Sequence, residues 1–333
     1  MSILSYHAAH EQFAPSALLA FAKEAERAGF DACHCSDHFH PWSLRQGQSG
    51  FSFSWLGAAM EATSFPFSMV NAPGQRYHPA IVAQALATLT EMYPGRLDVA
   101  LGTGEAVNEL INGETWPEKP VRNQRLLECV TIIRRLLAGE TVTHEGLVKV
   151  KEATLFTRPN HAPKLLAAAI TAETAYWAGS WADGLLTIYQ SSEKMGKVIS
   201  AFKEGGGEGK PLHVQMSLSY ARNHYEAIEE AYDQWRSNLA GIEALENLSR
   251  PEQYDEATKH ITREEIQNCL LISSNPSDYI IPIRECSALG FENIILHNVN
   301  RQQIAFIQDF GATVLPALRK TELKDRSTDG VII

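Results

Sequence analysis

The 333-residue chain has no run approaching the roughly 18 consecutive apolar residues that a membrane-spanning helix needs. Its first residues, Met1-Ser2-Ile3-Leu4-Ser5-Tyr6-His7, also lack a basic segment followed by an apolar one. The expectation from both absences is a cytoplasmic protein. Basic residues are outnumbered, 29 Lys+Arg against 39 Asp+Glu, a net charge of −10. With no basic cluster to reverse that field, nucleic acid and an anionic membrane surface are disfavoured as partners, which leaves small molecules. Cysteine is scarce and odd in number (Cys33, Cys35, Cys129, Cys269, Cys286), so a disulfide framework is not expected.

Several chemical signatures are missing too. There is no Gly-x-Ser-x-Gly turn, which removes support for serine hydrolase chemistry of the α/β type. Gly102-Thr103-Gly104 starts like a dinucleotide fingerprint but lacks the third glycine and an acidic ribose partner in register. In Glu204-Gly205-Gly206-Gly207-Glu208-Gly209-Lys210-Pro211, Glu204 stands where a phosphate loop needs glycine and Pro211 where it needs Ser or Thr. That run reads as a helix stop before a strand.

What is present is a recurring unit: a helical pattern, a glycine stop, an aromatic or apolar residue with a charged one, then a short β-rich run. It occurs at Ala28-Gly29-Phe30-Asp31, Tyr93-Pro94-Gly95-Arg96 and Leu289-Gly290-Phe291-Glu292, with a looser copy at Trp181-Ala182-Asp183-Gly184. The glycine closes each helix in the left-handed region, and the apolar run suits a strand buried on both faces. Strands are predicted near 3–7, 32–36, 67–71, 97–102, 165–169, 185–188, 212–217 and 293–297. Helices are predicted near 15–28, 52–63, 79–92, 119–138, 172–181, 192–204, 225–240, 276–288 and 301–317. Eight alternating units with no compositional break favour one (β/α)8 barrel over residues 1–318, rather than two doubly wound halves. Inserts are expected near 139–160 and 218–265, as lids over the barrel mouth or as solvated helical ornament, and 319–333 as a loosely held tail.

In such a barrel the chemistry lies just after each strand. After the second strand comes Ser36-Asp37-His38-Phe39-His40-Pro41-Trp42, where His38 can exchange a proton near neutral pH and Trp42 can wall a pocket. The fourth strand leads into Gly102-Thr103-Gly104-Glu105-Ala106-Val107-Asn108, a turn that lets backbone approach a flat ring, with Glu105 and Asn108 available for hydrogen bonds. Phe39, Trp42, Phe51, Phe53 and Trp55 suit either core packing or the wall of a ring-shaped ligand site. The group Cys33, His34, Cys35, His38 and His40 raises a metal-dependent hydrolase as a rival. Strand alternation splits the thiols from His34, and no second pair stands at zinc-ligand spacing, so no metal site is assigned.

At Glu11-Gln12-Phe13-Ala14-Pro15, Ser36-Asp37-His38-Phe39 with Pro41-Trp42, Arg76-Tyr77-His78-Pro79-Ala80, Tyr93-Pro94-Gly95-Arg96 and Gly102-Thr103-Gly104-Glu105-Ala106-x-Asn108-Glu109, the chain resembles the luciferase-like flavin oxidoreductase superfamily. Within it, the resemblance is to the branch of glucose-6-phosphate dehydrogenases that use the deazaflavin coenzyme F420, and it extends from the N-terminus to about Ala317. It implies a (β/α)8 barrel, a homodimer, and hydride exchange between a bound ring and a small organic substrate. His38 would be the acid/base, with Trp42 and Glu11 at the reacting centre and Glu105 near the far edge of the ring. Asp37, Thr103, Gly104 and Asn108 would hold the ring, and a non-proline cis peptide near Met69-Val70 would back it.

The chain also departs from that branch. The basic phosphate-binding positions of the glucose-6-phosphate enzymes correspond to Ser191, Leu245, Glu246 and Cys269, which implies a non-phosphorylated substrate. The glycine pair after the fifth strand is replaced by Ile170-Thr171, following Ala168-Ala169, with Glu173 beyond. That variant resembles a sister group with an ordinary flavin, so the implied cofactor is FMN first and F420 second. An FMN-dependent monooxygenase using oxygen, and a non-catalytic flavin-binding protein, are the alternative readings.

Overall fold

The computed structural model describes residues 2–320. Eight parallel strands close into a barrel: β1 (Ile3–Ala8), β2 (Ala32–Cys35), β3 (Phe67–Asn71), β4 (Leu97–Leu101), then β7 (Leu165–Ala168), β8 (Leu185–Ile188), β9 (Leu212–Tyr220) and β11 (Asn293–Asn298), which pairs back onto β1. The helices that follow them are α1 (Pro15–Ala28), α2 (Ser52–Ala62), α3 (Pro79–Met92), α5 (Lys119–Leu137), α6 (Ala172–Gly179), α7 (Ser192–Phe202), α12 (Ile280–Ala288) and α13 (Gln303–Asp309), with α8 (His224–Trp235) opening the long insert after β9. The repeat was legible because its stops are physical: Gly29 and Gly290 take φ +94° and +92°, a region that a Cβ disfavours. Gly184, in the looser copy, works differently. A Cβ there would sit 2.8 Å from the Pro211 carbonyl oxygen, so this glycine lets neighbouring strands approach.

Both inserts are ordered. Residues 139–160 hold an antiparallel hairpin, β5 (Val142–Glu145) with β6 (Lys149–Ala153). Beyond α8 come three short helices, α9 (Ile242–Asn247), α10 (Pro251–Ala257) and α11 (Arg263–Cys269), and a ninth strand β10 (Leu271–Ser273) paired to Leu218, Ser219 and Tyr220 of β9. The glycine-rich run after α7 is the expected stop; Gly205 meets Tyr176 of α6 so closely that a Cβ would lie 1.9 Å from its carbonyl oxygen. The expected loose tail needs correction at its start: Arg319 is helical and donates to Gly29 O at 2.6 Å and Asp31 at 2.7 Å. Residues 321–333 of that tail lie outside the described residues.

Strand alternation sorts the layers. Leu4, Tyr6, Cys33, Cys35, Phe67 and Met69 pack outward against the helices in the main core, while Ala100, Leu166, Leu186 and Ile295 form a small apolar layer inside the barrel. Most other interior positions are polar, and four of them are histidines: His7, His34, His213 and His297. Among the described residues every peptide bond is trans. The cis bond expected near Met69-Val70 is therefore absent; both residues sit in regular register in β3, opposite Val99 and Ala100.

Candidate active site

The C-terminal ends of the strands bring the predicted residues to one mouth. Glu11 follows β1 and is buried; Ser36 Oγ donates to its Oε2 at 2.5 Å. Burial alone would raise this carboxyl, but His38, His297 and the Ser36 hydroxyl outweigh it and hold Glu11 below the usual range. The rings of His38 and Trp42 pack edge to face at 5.2 Å, and Trp42 meets Tyr254 of α10 at 5.5 Å, so the lid insert completes the wall.

The orientation of His38 comes from Asn108, in the single-turn helix α4 (Ala106–Glu109) after β4. Asn108 Oδ1 accepts the backbone N–H groups of Phe39 (2.9 Å) and His40 (3.2 Å), so its Nδ2 donates to His38 Nδ1 at 3.0 Å. Nδ1 is then an acceptor, and the neutral ring carries its proton on Nε2. Asn108 Nδ2 also lies 3.4 Å from Glu105 Oε2, which ties Glu105 to the same group. His40 is turned away and bonds Val107 O at 2.7 Å.

Asp37 is buried with its carboxylate committed to protein: it accepts from Ser52 Oγ (2.7 Å), Asn71 Nδ2 (2.8 Å), Arg76 (3.0 Å) and the Tyr77 hydroxyl (3.2 Å). Arg76 also pairs with Glu109 at 3.4 Å. Burial pushes the Glu109 carboxyl up to about 7 although Arg76 pulls it down. Arg76 was visible in the sequence only as part of a motif; its bridging of two acids far apart in the chain has no local signal.

The geometry suits a flat ring with polar edges. Gly104 takes φ +77°, and a Cβ there would lie 2.7 Å from Glu109 Cγ, so backbone lines the mouth at that point. On the adjacent strand β7, Ala168 lies on the interior side beside Gly102, whereas Ala169 is buried in the outward core; Ile170 is exposed and Thr171 caps α6 through Thr174 N. The Asn71 Oδ1, His7 Nδ1 and His10 Nε2 atoms are buried without protein partners, and polar atoms so placed need a partner from elsewhere. Met69 lies outward in the core, so of the predicted pair only Val70 is on the interior side of β3.

Beneath the mouth, His7 stacks on His34 with ring centroids 5.4 Å apart and lies 4.1 Å from His297. Burial keeps all of them neutral, lowering His34 to about 3, His297 to about 4 and His7 well below its ordinary value. His7, Glu11 and His297 bring atoms able to ligate a metal within 4.8 Å of one another. His297 already uses both nitrogens, toward Gln12 Oε1 (3.2 Å) and Gln215 Nε2 (3.3 Å), and Gln12 is fixed by donating to Val299 O at 2.7 Å. The grouping proposed from sequence does not form: Cys33 and Cys35 face the helices, and His34 faces the interior, where it bonds Ser68 Oγ at 2.7 Å. At the opposite end of the barrel a cleft of about 650 Å³ is lined by Arg134, Phe156, Arg158 and Asp183. Its Arg134 and Asp183 pair with each other at 2.7 Å.

Of the four positions read as phosphate-free, Ser191 caps α7, Cys269 is exposed at the end of α11, and Leu245 and Glu246 lie on α9. The expected repulsion by Glu246 is corrected by its partners: Lys119 Nζ at 2.8 Å and the Arg122 guanidinium neutralise it. The repulsion part of the charge argument is thereby removed, while none of the four positions carries a cation.

Among the described residues, no helix is long and apolar enough to cross a membrane. A profile of the luciferase-like monooxygenase family matches residues 3–292. An F420-dependent glucose-6-phosphate dehydrogenase of Microbacterium testaceum (strain StLB037) is 33% identical over 326 residues, covering 95% of this chain and 97% of its own length. A protein of the same name from Beutenbergia cavernae is 32% identical over 330 residues, covering 96% and 98%. Among solved structures, an F420-dependent secondary alcohol dehydrogenase in complex with an F420-acetone adduct superposes with a TM-score of 0.88 at 30% identity, covering 96% of this chain and 100% of that one.

Proposed function

Because the chain belongs to the luciferase-like monooxygenase family, we propose that its barrel mouth is the active site of an oxidoreductase exchanging hydride between a bound deazaflavin or flavin and a small organic substrate. The observation that carries this reading is the convergence of Glu11, His38, Trp42, Glu105 and Asn108 on a mouth lined by Gly104 backbone and small side chains. F420 is the cofactor favoured by the 30–33% identical relatives, ahead of the FMN that Ile170-Thr171 suggested. When bound, the ring supplies or accepts the hydride. Asn71, Val70, Thr103, Gly104, Asn108 and the stretch from Ala168 to Thr171 would hold it, and Asp37 fixes the loop that carries His38.

The geometry supports the following roles. His38 presents Nε2–H to the substrate oxygen, and it can take that oxygen's proton on Nε2 only after its own proton has moved to Nδ1 and the Asn108 contact has given way. Trp42 walls the reacting centre, and Glu105 faces the edge where charge develops. His38→Ala should lower turnover about 100-fold or more with the fold intact; turnover close to wild type removes His38 from this role. Titration with F420 and FMN, followed by absorbance, decides the cofactor, and an oxygen-consumption assay with FMN tests the monooxygenase alternative.

We also propose a homodimer. The outer faces of α2 and α3 carry one acidic residue each, Glu61 and Glu91, beside Ser54, Ala58, Thr88 and the exposed Ile81 and Met92. Light scattering that returns a monomer mass at micromolar concentration rejects this.

A further inference from the structure

Beside the loop that holds Glu105, the first turn of α5 presents two cations that the reaction above does not use. Lys119 Nζ donates to Thr103 Oγ1 at 3.1 Å and to Glu246 Oε1 at 2.8 Å. The Arg122 guanidinium grips the other oxygen of Glu246, donates to Pro117 O at 3.0 Å and stacks over the Trp116 ring at 4.5 Å. The Arg122 side chain is 3% exposed, and its Nε is buried with no protein partner. Two positive groups thus enclose a single carboxylate, leaving the cluster one charge positive.

The carboxylate itself is lightly held. Glu246 is 29% exposed and lies on α9, a helix of six residues with none buried. That helix is tethered by polar contacts: the Tyr254 hydroxyl lies 2.9 Å from Leu245 O and 3.0 Å from Leu248 O, and Trp116 Nε1 donates to Asn247 Oδ1 at 3.1 Å. Lys119 and Glu246 are both partly exposed, and an ion pair of that kind contributes little to stability, so another anion can take its place. Because Thr103 accepts from Lys119, its own O–H is left to donate. Lys119, Arg122 and Thr103 therefore offer an ammonium, a planar fork and a hydroxyl to one point.

We propose that these three residues form a subsite for the phosphate or carboxylate group of a ligand at the mouth, and that Glu246 fills it in the free protein. Binding exchanges one anion for another and lifts α9 from the mouth. The meaning of the site rests on the oxidoreductase reading, but its existence does not. The probe is inorganic phosphate, titrated calorimetrically at low salt into the full chain. Glu246→Gln should bind it at least tenfold more tightly than wild type. Lys119→Gln in that background should abolish the gain, and Thr103→Val should reduce it several-fold, with circular dichroism verifying the fold of each. Glu246→Gln binding no tighter than wild type, or the Lys119→Gln double variant binding like the Glu246→Gln single, overturns the proposal.

Cofactor titrations then locate the source of the anion. If Lys119→Gln weakens F420 or FMN but not riboflavin, the anion belongs to the cofactor tail; if it leaves all three unchanged, the anion belongs to the substrate. Phosphate binding by Glu246→Gln in a protein that takes up none of the three rings would sustain the subsite and refute the proposed function.

Discussion

Acidification should loosen this barrel from the inside, and His34 allows the effect to be isolated. The ring is fully buried, and burial together with His213 and His297 lowers it to about 3 against an ordinary 6.5. The unfolded chain therefore binds a proton below pH 6.5 that the folded chain refuses, so stability is complete above that value and is lost as pH falls toward 3. At pH 5 the loss is RT ln(1 + 10^1.5), about 2 kcal/mol for this one residue. Against a total of about 5–15 kcal/mol, that is measurable. Glu109, raised to about 7, works in the opposite direction between its unfolded value near 4.5 and 7, so whole-protein curves mix the two. His34→Asn removes the titrating ring while placing an amide where Nδ1 meets Ser68 Oγ. Urea unfolding followed by tryptophan fluorescence at pH 7.5, 6.5, 5.5 and 5.0 should show wild type losing about 2 kcal/mol more than His34→Asn across that range. Parallel pH dependences for the two proteins would refute the claim that His34 is held neutral by burial.

Other outcomes follow from the same contacts. Arg76→Gln leaves Asp37 and Glu109 buried without their shared cation and should destabilise the fold by about 3–5 kcal/mol in urea unfolding at pH 7.5. Gly104→Ala places a methyl against the buried Glu109 at a left-handed position; ring titration should show cofactor affinity falling, and the melting temperature should fall with it. Asn108→Asp keeps the acceptors for Phe39 and His40 but presents an acceptor to His38 Nδ1. Nitrogen NMR of the imidazole should then show the proton moved to Nδ1, and an unchanged tautomer would count against the orientation described.

The barrel was legible because each strand is an apolar run bounded by a helix stop, a local and repeated signal. Strand ends were read within one residue for most of the barrel, with β9 three residues longer than its apolar run because Leu218, Ser219 and Tyr220 carry β10. The short helices of the lid have no periodicity to read; α9 buries nothing and is held by side chains distant in sequence. At the site, His38, Trp42, Glu105 and Asn108 were found from their place after strands. His7 and His297 were not: His7 stands on the polar side of an alternating strand, in Ser5-Tyr6-His7, but Ile295 shares the interior face of His297 and hides the alternation there. The bond from Lys119 and Arg122 to Glu246 crosses more than a hundred residues, and no spacing in one chain reveals it.

The pairing of β10 with the end of β9 also bears on how this enzyme's specificity changes over time. The chain leaves the barrel after Tyr220, and Leu271 opens β10 beside Leu218, so the fifty residues between begin and end only about 8 Å apart, one strand spacing across and two residues along. Such a segment behaves as a cassette. Its sequence and length can drift, or be exchanged by recombination with a relative's, at little entropic cost to the barrel, because the gap its ends must close stays the same. Trp42 and Lys119 remain with the barrel, while Tyr254 and Glu246 travel with the cassette, so grafting this one segment would transplant half of the pocket wall in a single step.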